Sequence, residues 1–108
     1  MTPDQLAELY RFAFPDERPW SADEFATFQK DPVVQIYIAD HGFALTRTVA
    51  GESELLSLAV HPDHQKRGIA TALIQRWLDA LSTTAEIAFL EVAADNLAAL
   101  ALYTRFGF

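Results

Sequence analysis

The sequence predicts an α/β domain of the mixed-sheet, α+β kind, with the element order ααβββαβα. Three observations carry that expectation. The apolar period is helical over the first 31 residues, strand-like from 33 to 60, and helical again from 68. Turn signals at Asp40-His41-Gly42 and Ala50-Gly51-Glu52-Ser53 join three strands as antiparallel hairpins. A helix then separates the third strand from a fourth, so those two strands are parallel with a right-handed crossover. At 108 residues, 51% hydrophobic and 21% charged, the chain reads as one domain with a single core.

Each element has its own signal. Thr2-Pro3 starts the first helix with a capping hydroxyl and a proline at the first helical position. Leu6, Leu9, Tyr10 and Ala13 give it one apolar face, and Pro15 ends it. Ser21 opens the second helix with Glu24 as a capping box, and Trp20 and Phe25 stand at hydrophobic-staple positions. Asp31-Pro32 stops that helix. Strands follow at 33–39, 43–49 and 54–60, the last so apolar that it belongs inside the sheet. A polar loop at 61–67 leads to a helix from Gly68 to about Ser82, with Ile69, Leu73, Trp77 and Leu81 on one stripe. The fourth strand is 86–92. A last helix, capped by Asp95 or Asn96, runs through Leu97, Leu100, Ala101 and Phe106 and stops at Gly107.

Composition excludes several function classes. Eight basic against fifteen acidic residues give a net charge of −7, the wrong sign for general nucleic-acid binding. No apolar run has the length of a membrane helix, and the N-terminus lacks a signal-peptide pattern. With no cysteine, disulfides, thiolate metal sites and a cysteine nucleophile are excluded, and a cytoplasmic location is expected. No metal is expected either: His61 and His64 form a pair, but only His41 remains as a third histidine.

The charge is also uneven. Residues 61–76 carry Lys66, Arg67 and Arg76 against Asp63 alone, a basic island of +2. Lys66 and Arg67 lie directly before the predicted helix start, where unpaired N–H groups and the helix dipole favour an anion. Gly68 and Ala70 leave room for one, and a phosphate or pyrophosphate fits this arrangement. The Walker A and dinucleotide-binding glycine patterns are both absent. Solvated surface charge is the competing reading of the same residues.

The string Leu58-Ala59-Val60-His61-Pro62-Asp63-His64-Gln65-Lys66-Arg67-Gly68-Ile69-Ala70 resembles the acetyl-CoA signature of the GNAT N-acetyltransferases. A second block, Leu90-Glu91-Val92, Asn96, Ala99, Leu102-Tyr103 and Phe106-Gly107-Phe108, agrees with it in order and spacing. With Pro19-Trp20-Ser21, the chain is most similar to the RimI-type branch, the ribosomal-protein-alanine N-acetyltransferases. The resemblance implies the GNAT acyl-CoA N-acyltransferase fold and acetyl-CoA as co-substrate. It also implies a cationic acceptor, a protein or peptide N-terminal α-amine, acetylated by direct attack in a ternary complex.

The resemblance also assigns residues. The backbone of Leu58, Ala59 and Val60 would hold the thioester and pantetheine. Gln65, Lys66, Arg67, Gly68, Ile69, Ala70 and Thr71 would wrap the pyrophosphate, and Asn96 would hydrogen-bond the pantetheine arm. Glu91 would be the general base and Tyr103 the general acid. Strand order independently puts Glu91 near the ligand-binding edge, because parallel strands 54–60 and 86–92 present their carboxyl ends together. A structural ion pair competes for Glu91, and a core position with a surface hydroxyl competes for Tyr103. Glu52 and Glu54 are alternative bases, with Glu54 at the far end of its strand.

Against the family pattern the chain reads as short of one strand before the first helix and two after Phe108. Exposed edge strands would then favour a homodimer or strand swap. A catalytically inactive CoA-binding module or subunit, and an acetyltransferase of small-molecule amines, are the alternative functions.

Overall fold

The computed structural model describes residues 1–81, 87–90, 102–104 and 106–107. Helices α1 (Pro3–Ala13) and α2 (Ala22–Lys30) precede strands β1 (Val34–Ala39), β2 (Gly42–Val49) and β3 (Glu52–Val60). A short 3₁₀ turn (Pro62–His64), helix α3 (Ile69–Leu81) and strand β4 (Ile87–Leu90) follow, and residues 102–104 are helical. No helix among the described residues is long and apolar enough to cross a membrane. The predicted capping box of Ser21 with Glu24 forms, and the capping hydroxyl of Thr2 closes a second one with Gln5. The expected staple forms too, with the Trp20 and Phe25 rings 5.8 Å apart.

The sheet order is β1-β2-β3-β4, antiparallel for the first two pairs and parallel for β3 with β4. Both hairpin turns are tighter than the sequence suggests. Ala39 pairs with Gly42, and Val49 with Glu52, leaving two-residue turns. His41 (φ 65°), Ala50 (φ 53°) and Gly51 (φ 82°) take the left-handed conformations that such turns need. The third strand therefore starts at Glu52, not at residue 54.

A bulge in β3 organises everything beyond it. Leu45 faces Ser57 and Thr46 faces Leu55, so Leu56 is an extra residue. One extra residue reverses which side chains point to which face. Leu55 packs with α3, Leu56 with α1 and α2, and Leu58, two residues on, with α3 again. The described β3–β4 pairs run from Glu52–Ile87 to Leu55–Leu90. Val60 lies five residues past Leu55, about 17 Å along the strand.

Helices cover both faces. On one, Leu6, Leu9, Tyr10 and Phe25 pack on Phe43, Leu45 and Ala59. On the other, Leu73, Ile74, Trp77 and Leu81 pack on Ala44 and Leu55. A polar chain crosses the second layer without leaving its atoms unpaired. Trp77 Nε1 donates to Ser53 Oγ at 2.9 Å, Ser53 Oγ lies 2.9 Å from Thr48 Oγ1, and Thr48 donates to Gln35. Neither Trp77 nor Ser53 has any exposed surface, so these bonds hold α3 at a fixed depth on the sheet.

Candidate functional site

The carboxyl end of β3 meets three other segments. Gly42 pairs with Val60, so the β1–β2 turn sits beside the residues that follow β3. The His61 N–H donates to the His41 carbonyl at 2.8 Å and locks the two together. The chain then passes through the 3₁₀ turn, capped by its own histidine as Asp63 N–H donates to His61 Nδ1. Gln65 Nε2 donates back to the Val60 carbonyl at 3.3 Å. Two left-handed residues, Lys66 (φ 62°) and Gly68 (φ 81°), turn the backbone into α3. The helix therefore begins at Ile69, with Gly68 accepting the first bond from Ala72, and Gly68 itself is not helical.

An open cleft of about 380 Å³ lies between these segments, walled by Asp40, His41, His64, Arg67, Gly68 and Ile69. A Cβ on Gly68 would meet no atom within 4 Å, so the space before its backbone is clear. The helix start suits an anion for a further reason. Helices α1 and α2 fill their first turns with Asp4 and with Asp23 and Glu24, whereas the first turn of α3 has no acid. Its dipole meets no acid in the first turn and favours an anion there. The backbone and cations present thus fit a pyrophosphate group.

The basic island divides on closer view. Arg76 is turned away to β1, where Nη1 donates to the Ile38 carbonyl at 2.6 Å and the guanidinium lies 5.7 Å from the Tyr37 ring centre. Lys66 and Arg67 alone flank the cleft segment. The Arg67 guanidinium donates to His64 Nδ1 at 3.2 Å. His64 stacks on His41, ring centres 3.5 Å apart and within 1° of parallel. The sequence places His61 and His64 as a pair, with no metal expected between them. In the structure His64 stacks on His41 and stands edge-on to His61, and the His41 contact follows from the β2–β3 register, which no residue pattern marks. Burial, together with the charges of His41 and Arg67, pushes the His64 imidazole below its ordinary value.

The other expected positions are distributed as follows. Ala59 and Val60 are buried and Leu58 is half-buried, so any ligand contact at 58–60 is through backbone. Ile69, Ala70 and Thr71 form the first turn of α3. Tyr103 is half-buried against the Trp77 cluster, and burial raises its phenol above the ordinary value. Glu52 and Glu54 lie at the opposite end of β3 from the cleft, Glu54 about 20 Å from Val60 along the strand. Glu91 and Asn96 lie outside the described residues, as does most of the predicted last helix. Gly107 (φ 90°) does take the left-handed stop, its N–H donating to the Thr104 carbonyl.

Comparison with known proteins adds to this geometry. The profile described as "Acetyltransferase (GNAT) family" matches residues 4–108. The chain is 37% identical over 95 residues to the [ribosomal protein bS18]-alanine N-acetyltransferase of Escherichia coli K12, covering 83% of this chain and 64% of that one. It thus spans a little under two thirds of the length of that relative. The crystal structure of the ribosomal-protein-S18-alanine N-acetyltransferase from Escherichia coli superposes with a TM-score of 0.83 at 30% identity, over 97% of this chain and 70% of that chain. PaiA N-acetyltransferase from Thermoplasma acidophilum, solved in complex with coenzyme A, shares the fold with a TM-score of 0.83 at 18% identity, over 98% of this chain and 82% of that one.

Proposed function

The chain belongs to the GNAT acetyltransferase family, and from that premise we propose that it transfers the acetyl group of acetyl-CoA to an amine, a protein or peptide N-terminal α-amine. The observation that carries the proposal is the cleft at the start of α3. A left-handed loop, two cations and an acid-free helix N-terminus converge there, within the segment that bears the family's signature. Similarity to an alanine N-acetyltransferase supports the α-amine as acceptor. The net charge of −7 suits a cationic one.

In this reading the backbone from Gln65 to Thr71 binds the pyrophosphate, with Lys66 and Arg67 contributing charge. The last described β3–β4 pair, Leu55–Leu90, lies about 17 Å from Val60, a separation that an extended pantetheine arm spans. The backbone of Leu58, Ala59 and Val60 lines that arm, Asn96 hydrogen-bonds it, and Glu91 follows Leu90 directly in sequence. Acetyl-CoA supplies an activated acyl carbon. Glu91 takes the proton that the acceptor ammonium must lose, and Tyr103 gives one to the leaving thiolate. A phenol kept protonated by burial is suited to donate.

The test is release of free thiol from acetyl-CoA in the presence of an alanine-starting basic peptide. Peptide-dependent release, with acetyl found on the α-nitrogen, is the expected result. Coenzyme A binding without turnover on any amine would make the chain a binding module instead.

A further inference from the structure

We propose that His41 and His64 form a proton-accepting wall of the cleft, so that an anion seated beside Arg67 is bound together with a proton. This rests on the reading of the cleft as the pyrophosphate site. The two rings are stacked face to face at 3.5 Å, an arrangement that tolerates at most one positive ring. An arginine has no acceptor atom, so its bond to His64 Nδ1 requires that nitrogen to be bare. Without a ligand His64 is therefore held neutral, and Arg67 is occupied by His64 rather than directed into the cleft.

Among the described residues, the other charged groups around the pair are few. His61 stands edge-on to His64 at 5.7 Å, with Asp63 Oδ2 3.8 Å from His61 Nδ1. Asp40 is on the cleft wall beside His41, and Lys66 precedes Arg67. From α1, the neutral Phe12 ring packs on His61, and the first turn of α3 offers no acid. A phosphoryl group brings only acceptor oxygens. It competes with His64 for the Arg67 guanidinium, frees Nδ1 to take a proton, and supplies the negative charge that favours the protonated ring. Protonated His41 or His64 then donates to the anion. The His64 imidazole, held below its ordinary value in the free protein, is raised in the complex. Binding therefore takes up protons, and affinity rises as pH falls.

The experiment is calorimetric titration with 3′-dephospho-CoA, whose pyrophosphate does not ionise in this range, from about pH 5.5 to 8 in two buffers of different ionisation enthalpy. Affinity is expected to be about fivefold or more tighter at the acid end, with net proton uptake read from the buffer difference. The double variant His41→Gln with His64→Gln is expected to bind with a flat profile. Tight, pH-independent binding by the wild-type protein, or an unchanged slope in the double variant, overturns the proposal while leaving the cofactor reading intact. Where the double variant does not fold, the single variants His41→Gln and His64→Gln supply the same comparison of slopes. Absence of binding at every pH overturns the cofactor reading itself, and this proposal with it.

Discussion

Gly42 lies so close to Ile69 that a Cβ built on it would come within 2.9 Å of the Ile69 Cγ2 and 3.1 Å of the Ala59 carbonyl oxygen. The first residue of β2 is thus the floor on which the start of α3 rests. The sequence marks this glycine only as part of a turn. Its φ is not left-handed, and its requirement is for space. Gly42→Ala should lower stability by about 1–3 kcal/mol through overpacking. It should also weaken coenzyme A binding, because Ile69 must shift at the lip of the cleft. Urea unfolding and calorimetry of the same variant check both effects.

Gly68 carries the opposite argument. Space before it is open, but its φ of 81° disfavours any side chain. Gly68→Ala should cost about 1 kcal/mol of stability from backbone strain alone. Lys66, also left-handed at φ 62°, separates charge from backbone. Lys66→Asn keeps a residue that tolerates this conformation and should reduce coenzyme A affinity roughly fivefold, about 1 kcal/mol, with less loss at high salt.

Ser53 links α3 to the sheet through Trp77 Nε1 on one side and Thr48 on the other. Ser53→Ala should destabilise the protein by about 1–2 kcal/mol. Its distance from the cleft predicts unchanged coenzyme A affinity. Chemical denaturation with a parallel binding titration tests the pair of expectations.

Tyr10 is 5% exposed, stacks on Trp20 at 4.7 Å, and donates to Glu17 at 3.2 Å. Burial, then the Glu17 charge and hydrogen bond, push its phenol up to about 12 from the ordinary 10. A raised value in the folded state means stability fully present below pH 10 and lost as pH rises through about 12. Tyr10→Phe should remove that alkaline loss, and a 295 nm titration should show the latest phenol missing.

How much of this was legible in the sequence follows from what each signal encodes. The capping hydroxyl of Thr2, the capping box at Ser21, the staple of Trp20 on Phe25 and the parallel β3–β4 pair were readable because residue types and element order dictate them. The bulge at Leu56 was not. In the run Leu55-Leu56-Ser57-Leu58-Ala59-Val60 both faces are apolar, so a change of phase leaves no mark. The His41–His64 stack depends on the Gly42–Val60 register and on a tight turn, neither of which a pattern of residues shows. The departure of Arg76 to the β1 carbonyl was hidden for the same reason: charge counting ignores direction.

The measurement closest to the central claim compares wild type and Glu91→Gln in two assays, thiol release from acetyl-CoA with an alanine-starting peptide and calorimetric coenzyme A binding. Turnover in the variant should fall about 10²–10⁴-fold while coenzyme A binds as in wild type. Equal turnover in the two proteins would contradict Glu91 as the base. A wild-type protein that binds coenzyme A yet transfers no acetyl group to any amine would contradict acetyl transfer itself.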